Sequence, residues 1–304
     1  MWFHDNFAPG EVHLHSYSKL YFSIETEYQK VELVESPVFG KLLLIDGDVQ
    51  SSLRDEHIYH ETLVHPAMLL SDNCSNVFLA GGGEGATLRE IVKYKKLEKV
   101  VKCDIDKIAI EAYIKELTEW HQGSFFDKRV ELKHMDARGL LETYPDKFFD
   151  VIITDLTEPT SGGPSQKLFS KEFFTICRNK LKDSGILALQ ASLLRITTYE
   201  MHSSIIKTLN EVFPLVFSGT SYVPSFDTTW GFAYASRNIN ISKFTCDNID
   251  KLIEDKIEGK LKFFDGISFL NIFSLGKDLR ELIKNNGNII TDDEPFYLKR
   301  KDEI

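Results

Sequence analysis

The chain has 304 residues, 42% of them hydrophobic and 12% aromatic, which is ample for a packed core and excludes a disordered polypeptide. Thirty-six basic against 46 acidic residues leave a net charge of −10, which argues against nucleic acid as a partner and favours a cationic one. Four widely spaced cysteines without a C-x-x-C pair, a start with no basic segment before an apolar run, and no stretch long enough to span a bilayer predict a soluble, cytoplasmic protein with no membrane partner.

Residues 1–68 read as a small antiparallel β-domain. Its β-rich runs at 21–26, 29–35 and 41–45 are broken by Ser36-Pro37 and Phe39-Gly40, and Asp46-Gly47 is a turn signal. Residues 55–70 turn helical and should join this sheet to the rest of the chain, with Pro66 expected to interrupt or kink the helix. His57, His60 and His65 cluster on it. A zinc-protease helix needs histidines four apart, whereas His60 and His65 are five apart and fall on different faces, so packing or substrate contact is expected and no metal.

From residue 69 to 304 the pattern is α/β, a Rossmann-like, doubly wound domain of the class I methyltransferase type. An apolar run at 77–80 leads into Gly81, Gly82, Gly83 and Gly85, then into helical spacing at Ala86, Leu88, Ile91 and Val92. A second strand, 100–103, ends in Asp104. Strand, glycine turn, helix, strand, acid is the nucleotide-binding βαβ order, with the acid placed to accept ribose hydroxyls. Glu84 lies inside the glycine turn. It would repel a pyrophosphate or the carboxylate of ordinary S-adenosylmethionine, and attract a ligand ending only in an ammonium. The plainer reading is a solvated acid favoured by the helix dipole.

Further strands are predicted at 130–135, 151–154 and 186–190, with helices near 107–117, 138–143, 167–182 and 197–211. Asp183-Ser184-Gly185 should close one of these helices. Segments 215–223 and 230–235 suggest a terminal antiparallel pair, and 246–260 and 274–286 surface helices. Ligands bind beyond the carboxyl ends of parallel strands. The acids fall there: Glu84, Asp104, Asp136, then Asp155 and Glu158, with Gln190 closing the next strand. Like charges so placed raise one another's pKa unless a cation binds among them. In Asp155-Leu156-Thr157-Glu158-Pro159 one carboxylate could hold an ammonium while the other accepts a proton from an attacking amine; a merely capped turn is the alternative.

The segments YQKVELVES, FGKLLLIDGDVQSSLRDEHIYHE, LAGGGEGATLRE, CDID, MDAR, DLTEP and VPSFDTTWGF, in this order, resemble the polyamine aminopropyltransferases, the spermidine/spermine synthase family. The resemblance implies transfer of a 3-aminopropyl group from decarboxylated S-adenosylmethionine, as co-substrate, to a small-molecule polyamine, releasing 5′-methylthioadenosine. It implies Asp155 as general base, and Glu158, Tyr59, Gln190, Phe226 and Trp230 around the amine. For the nucleoside donor it implies Gln29, Gln50, His60, Gly81, Gly83, Glu84, Asp104, Asp136 and Ala137. Glu84 and Glu158 stand where the family more often has aspartate, and Phe226 where many spermidine synthases have tyrosine. The Gly-Gly-Pro of EPTSGGPSQKLFSKEFF and the Phe226 segment look more like thermospermine synthases, which suggests spermidine as acceptor, with putrescine also open. A homodimer or homotetramer through the N-terminal domain is implied as well. A class I methyltransferase and a non-catalytic polyamine sensor remain the competing readings.

Overall fold

In a computed structural model of the chain, residues 1–8, 11–160 and 162–298 are described; Pro9, Gly10, Ser161 of the Gly-Gly-Pro segment and residues 299–304 lie outside them. The chain opens with an antiparallel hairpin, β1 (Trp2–Ala8) and β2 (Glu11–Ser16). An antiparallel sheet follows in the order β3-β4-β5-β6, built from β3 (Lys19–Glu25), β4 (Lys30–Ser36), β5 (Gly40–Ile45) and β6 (Asp48–Ser52). Neither the hairpin nor β6 is predicted from the sequence, because β6 (DVQSS) has one strong apolar residue and β1 (WFHDNFA) sets three polar residues between its apolar pairs.

Helix α1 (Glu56–Leu70) leads into alternating units: β7 (Asn76–Gly81), α2 (Ala86–Val92), β8 (Lys99–Asp104), α3 (Lys107–Glu116), α4 (Thr118–His121), β9 (Val130–His134), α5 (Ala137–Glu142) and β10 (Phe149–Asp155). After these come α6 (Lys171–Lys180), β11 (Leu181–Leu193), α7 (Glu200–Asn210), β12 (Leu215–Val223) and β13 (Thr228–Ser236). Helices α8 (Cys246–Lys256), α9 (Gly266–Ile272) and α10 (Lys277–Asn285) complete the described chain. The large sheet has the order β12-β13-β11-β10-β7-β8-β9. Strands β7 to β11 run parallel, and β13 and β12 are antiparallel additions. Strand β7 shows why such strands are apolar throughout. Val77 and Leu79 enter the core on one face, Phe78 and Ala80 the core on the other.

Three local expectations are corrected. Pro66 neither ends nor interrupts α1, which runs unbroken to Leu70. A proline inside a helix cannot donate to the carbonyl four residues back. Here the Tyr234 hydroxyl of β13 donates to that orphaned Thr62 carbonyl at 2.5 Å, so the buried acceptor is satisfied from outside the helix. Asp183-Ser184-Gly185 closes no helix. It lies within β11, where the register against β10 jumps from Phe149↔Leu181 to Val151↔Ile186. Helix 167–182 is also divided, because the Ser170 hydroxyl accepts from the Phe173 N–H and caps α6 there.

Chain reversal in the sheet occurs between β7 and β10: successive strands proceed outward through β8 and β9 on one side and through β11 on the other. A doubly wound sheet opens its binding crevice at this reversal. Replacing Tyr234 with Phe leaves the Thr62 carbonyl buried without its donor, and is expected to lower unfolding stability by about 1–3 kcal/mol in denaturant titration. A change below a few tenths would show that the proline is accommodated otherwise.

Candidate active site

At the crevice, the glycine turn lies against the end of β10. The Gly82 N–H donates to the Asp155 carbonyl at 2.7 Å. A Cβ added to Gly81, at φ +76°, would stand 2.1 Å from that same oxygen, so only glycine permits the approach. The Asp155 carboxylate therefore projects into the crevice beside the turn. Tyr59 of α1 donates to its Oδ1 at 2.8 Å, and Thr87, the second residue of α2, makes a short hydrogen bond to its Oδ2. Burial, then the nearby Glu84 charge, raise the Asp155 pKa, against the lowering effects of His60 and the two hydroxyls. Burial and Asp155 in turn hold Tyr59 as a neutral donor.

Glu84 and His60 form the second part of the site. His60 Nε2 lies 2.6 Å from Glu84 Oε1, and its Nδ1 lies 2.9 Å from Glu56 Oε2. Burial alone would keep this imidazole neutral. The two carboxylates outweigh it and raise His60 to about 10, so it is an imidazolium at neutral pH. Burial also opposes ionisation of Glu84, but the His60 hydrogen bond and charge hold its pKa below the usual value, with a contribution from Lys102. His60, Glu84 and Asp155 offer ligand atoms within 4.8 Å of one another. A doubly engaged imidazolium has no lone pair for a metal, so that trio suits an ammonium better than a metal ion.

Glu158 lies on the other side of Asp155. Its carboxylate takes a short hydrogen bond from Ser192, a residue in the left-handed region at φ +64°. Burial pushes Glu158 up to about 7, with Asp48 adding to the rise and Ser192 opposing it. Gln190 donates to the Leu156 carbonyl at 2.8 Å and accepts from the Trp230 indole N–H at 3.2 Å. Phe226, Trp230 and Tyr59 meet at tilted and edge-on angles to make an aromatic wall.

The rest of the crevice is built from strand ends. Asp104 closes β8, and its Oδ1 accepts from the Asp106 N–H at 3.1 Å. Asp136 is exposed, and its carboxylate caps α5 by accepting from the Gly139 N–H at 2.6 Å, with Ala137 beginning that helix. The Gln29 amide donates to Asp106 at 3.1 Å, which pins the N-terminal sheet over β8. One cavity of about 1030 Å³ is lined by every residue singled out above as a site residue, including Gln50 of β6. None of them lines a separate hollow of about 690 Å³ between α7, β12, α9 and α10. Thr87, Lys102 and Ser192 were not foreseen. Thr87 and Ser192 are ordinary polar residues in sequence, and Lys102 is hidden inside an apolar run.

A family model described as the spermine/spermidine synthase domain matches residues 56–245, and one described as the spermidine synthase tetramerisation domain matches residues 1–52. The chain is 39% identical over 288 residues to a polyamine aminopropyltransferase of Sulfurisphaera tokodaii, covering 95% of each chain. It is 41% identical over 292 residues to one of Saccharolobus solfataricus, covering 96% of each. Among solved structures, it resembles a spermidine synthase in complex with the transition state analogue AdoDATO, with TM-score 0.85 and 26% identity over 93% of this chain and 96% of the other. A spermidine synthase from Thermotoga maritima gives TM-score 0.82 and 26% identity over 93% and 95%.

Glu158 has a folded pKa of about 7, above its ordinary 4.5. A raised carboxyl pKa means that the folded state binds the proton more tightly. Its contribution is complete below the unfolded pKa and is lost as pH rises through 7. Glu158→Gln should therefore be more stable than the parent at pH 8, by about 1–3 kcal/mol, with the gain shrinking below about 1 kcal/mol at pH 5. Thermal unfolding of the ligand-free protein at both pH values measures this, and equal stability at pH 8 would contradict the assigned shift.

Proposed function

The chain belongs to the spermine/spermidine synthase family and is an aminopropyltransferase, and from that premise we propose that it transfers a 3-aminopropyl group from decarboxylated S-adenosylmethionine to spermidine, giving thermospermine or spermine and 5′-methylthioadenosine. The observation that carries this reading is the placement of Asp155 and Glu84 in one crevice, where burial and the Glu84 charge raise the Asp155 pKa while His60 holds Glu84 ionised.

In the reaction the acceptor nitrogen's lone pair attacks the carbon beside the sulfonium. The carbon–sulfur bond breaks, its electrons stay on sulfur, and the neutral thioether leaves. An alkylammonium has a pKa of about 10 and cannot attack until it loses a proton. Asp155 takes that proton: its basicity is raised by burial and Glu84, and the Tyr59 and Thr87 hydroxyls hold its orientation while leaving lone pairs open. Glu84 holds the donor's terminal ammonium beside His60, and Asp104 takes the ribose hydroxyls. Gly81 and Gly83 let the donor approach the backbone. Asp136, Ala137, Gln29 and Gln50 enclose the nucleoside. Glu158, Gln190, Phe226, Trp230 and Tyr59 hold the acceptor. Rate enhancement comes mainly from alignment and fixed charge.

A longer acceptor is favoured by further acids in the same cavity. Asp48 of β6 and Asp5 of β1 line it, and the Asp48 charge acts on Glu158. Carboxylates spaced along one cavity match a ligand with several ammonium groups better than a short diamine. Phe226 adds an apolar wall where a hydroxyl would fix a nearer amine.

We take residues 1–68 as the cover and oligomer contact and 69–304 as the catalytic unit. Trp2, Val12, Leu14 and Leu20 are exposed on the N-terminal strands, which supports a homodimer or homotetramer through them. The cysteines are unbridged, in keeping with a cytoplasmic setting.

Incubation with decarboxylated S-adenosylmethionine and putrescine, spermidine, cadaverine or agmatine, with chromatographic separation of products, tests both donor and acceptor. Methylthioadenosine and a tetraamine from spermidine are expected; a putrescine-only enzyme would overturn the acceptor. Asp155→Asn should lower kcat about 10²–10⁴-fold with the fold intact, whereas full-rate turnover would remove the base. Asp48→Asn should reduce kcat/KM for spermidine several-fold more than for putrescine; equal reductions would remove Asp48 from acceptor selection.

A further inference from the structure

Lys102 lies in the middle of β8, and its side chain is 0% exposed. A buried lysine is uncommon, because its ammonium must replace three hydrogen bonds to water. Strand β8 alternates. Val100 and Lys102 point to one face of the sheet, and Val100 lies in the same core as Val77 and Leu79 of β7. The four-carbon stem runs through this apolar layer and brings Nζ up to the crevice from below. There Nζ donates to the Gly81 carbonyl at 2.7 Å and stands 3.6 Å from Asp104 Oδ2.

Both contacts fall where the sheet stops supplying hydrogen bonds. The pairing of β7 with β8 ends at Ala80↔Cys103, so the ladder no longer serves the Gly81 carbonyl. Lys102 supplies the missing donor and fixes the first peptide of the glycine turn. Asp104 is restrained from two sides, by the Asp106 N–H at Oδ1 and by the ammonium facing Oδ2. A Cβ built on Gly83 would come 3.6 Å from that same Oδ2, so the carboxylate lies against the turn that Lys102 steadies. The lysine charge also helps keep Glu84 ionised. Lys102 does not reach the aromatic wall or Asp155 by any hydrogen bond among the described residues.

We propose that Lys102 is a positioning residue for the nucleoside half of the donor: from beneath the crevice floor it sets the Gly81 peptide and the Asp104 carboxylate in the geometry that receives the ribose. The inference rests on the functional reading above, since it takes Asp104 as the ribose acceptor. Lysine is needed because one group must both donate to a carbonyl and offset a carboxylate in a water-excluded place. A methionine of similar length could fill the space and do neither.

The test uses 5′-methylthioadenosine, which carries the ribose but no aminopropyl ammonium, and Lys102→Met. Calorimetry should show binding weakened at least tenfold. In steady-state assays the KM for the donor should rise comparably, while the KM for the amine stays within twofold and kcat at saturating donor falls less than threefold. The effect should pass through Asp104: on an Asp104→Asn background, Lys102→Met should weaken methylthioadenosine binding less than twofold further. A merely structural lysine would give the same loss on both backgrounds, and that result would overturn the proposal. So would methylthioadenosine binding unchanged in Lys102→Met, or a fall in kcat with the donor KM unmoved. Should Lys102→Met not fold, Lys102→Gln takes its place in every arm with the same expected losses. Failure of the parent protein itself to bind methylthioadenosine would overturn the functional reading together with this one.

Discussion

Two half-buried carboxylates on neighbouring elements, Glu84 and Asp155, repel each other across the crevice, and most of the site can be understood as the means of sustaining that repulsion. Isolated charges in such a place would take up protons and lose their use. The His60 imidazolium keeps Glu84 ionised, while Asp155 is left with neutral hydroxyl donors only. The asymmetry divides the work: one acid is committed to charge and the other is held ready to be protonated.

His60 can serve this way because it is itself anchored. Glu56, held near 2, accepts from Arg89 as well as facing His60, and Arg89 donates in turn to Glu90 and to the Trp120 carbonyl. Glu90 meets His65 and Lys93, and Lys93 is the partly exposed end of the chain of charges. Buried ion networks of this kind contribute little net stability, since desolvation consumes much of the attraction. Their effect is geometric. Every member has its partners fixed, so α1 and α2 are locked in register and Tyr59, His60 and Thr87 arrive at the crevice from rigid helices.

The legible part of the chain was the part whose signals are local. The glycine turn, the run before it, the acid closing β8 and the acids at later strand ends all rest on residues within a few positions of one another, and Gly81, Gly82, Gly83, Glu84 and those acids line the same cavity. Less visible were features decided across long separations. Pro66 looks like a helix breaker until Tyr234, on a strand far along the chain, supplies the donor for Thr62. Ser192 is unremarkable in sequence, yet its left-handed backbone brings its hydroxyl to Glu158. Lys102 reads as an interruption of an apolar strand, and only the end of the β7–β8 ladder gives its ammonium something to bind. The β1–β2 hairpin escaped notice because its apolar residues do not all face one core: Trp2, Val12 and Leu14 are exposed.

That hairpin pairs with no other sheet among the described residues. Its tie to the large domain includes a forked contact between Glu11 and Arg195, at 2.9 and 2.7 Å, near the surface. Ion pairs in such exposed settings are worth about 0–1 kcal/mol and weaken with added salt. Added salt should therefore loosen this fork but not the apolar cluster in which Phe3 and Tyr17 sit with Phe226 and Trp230, so the hairpin is held by two forces that answer to different conditions.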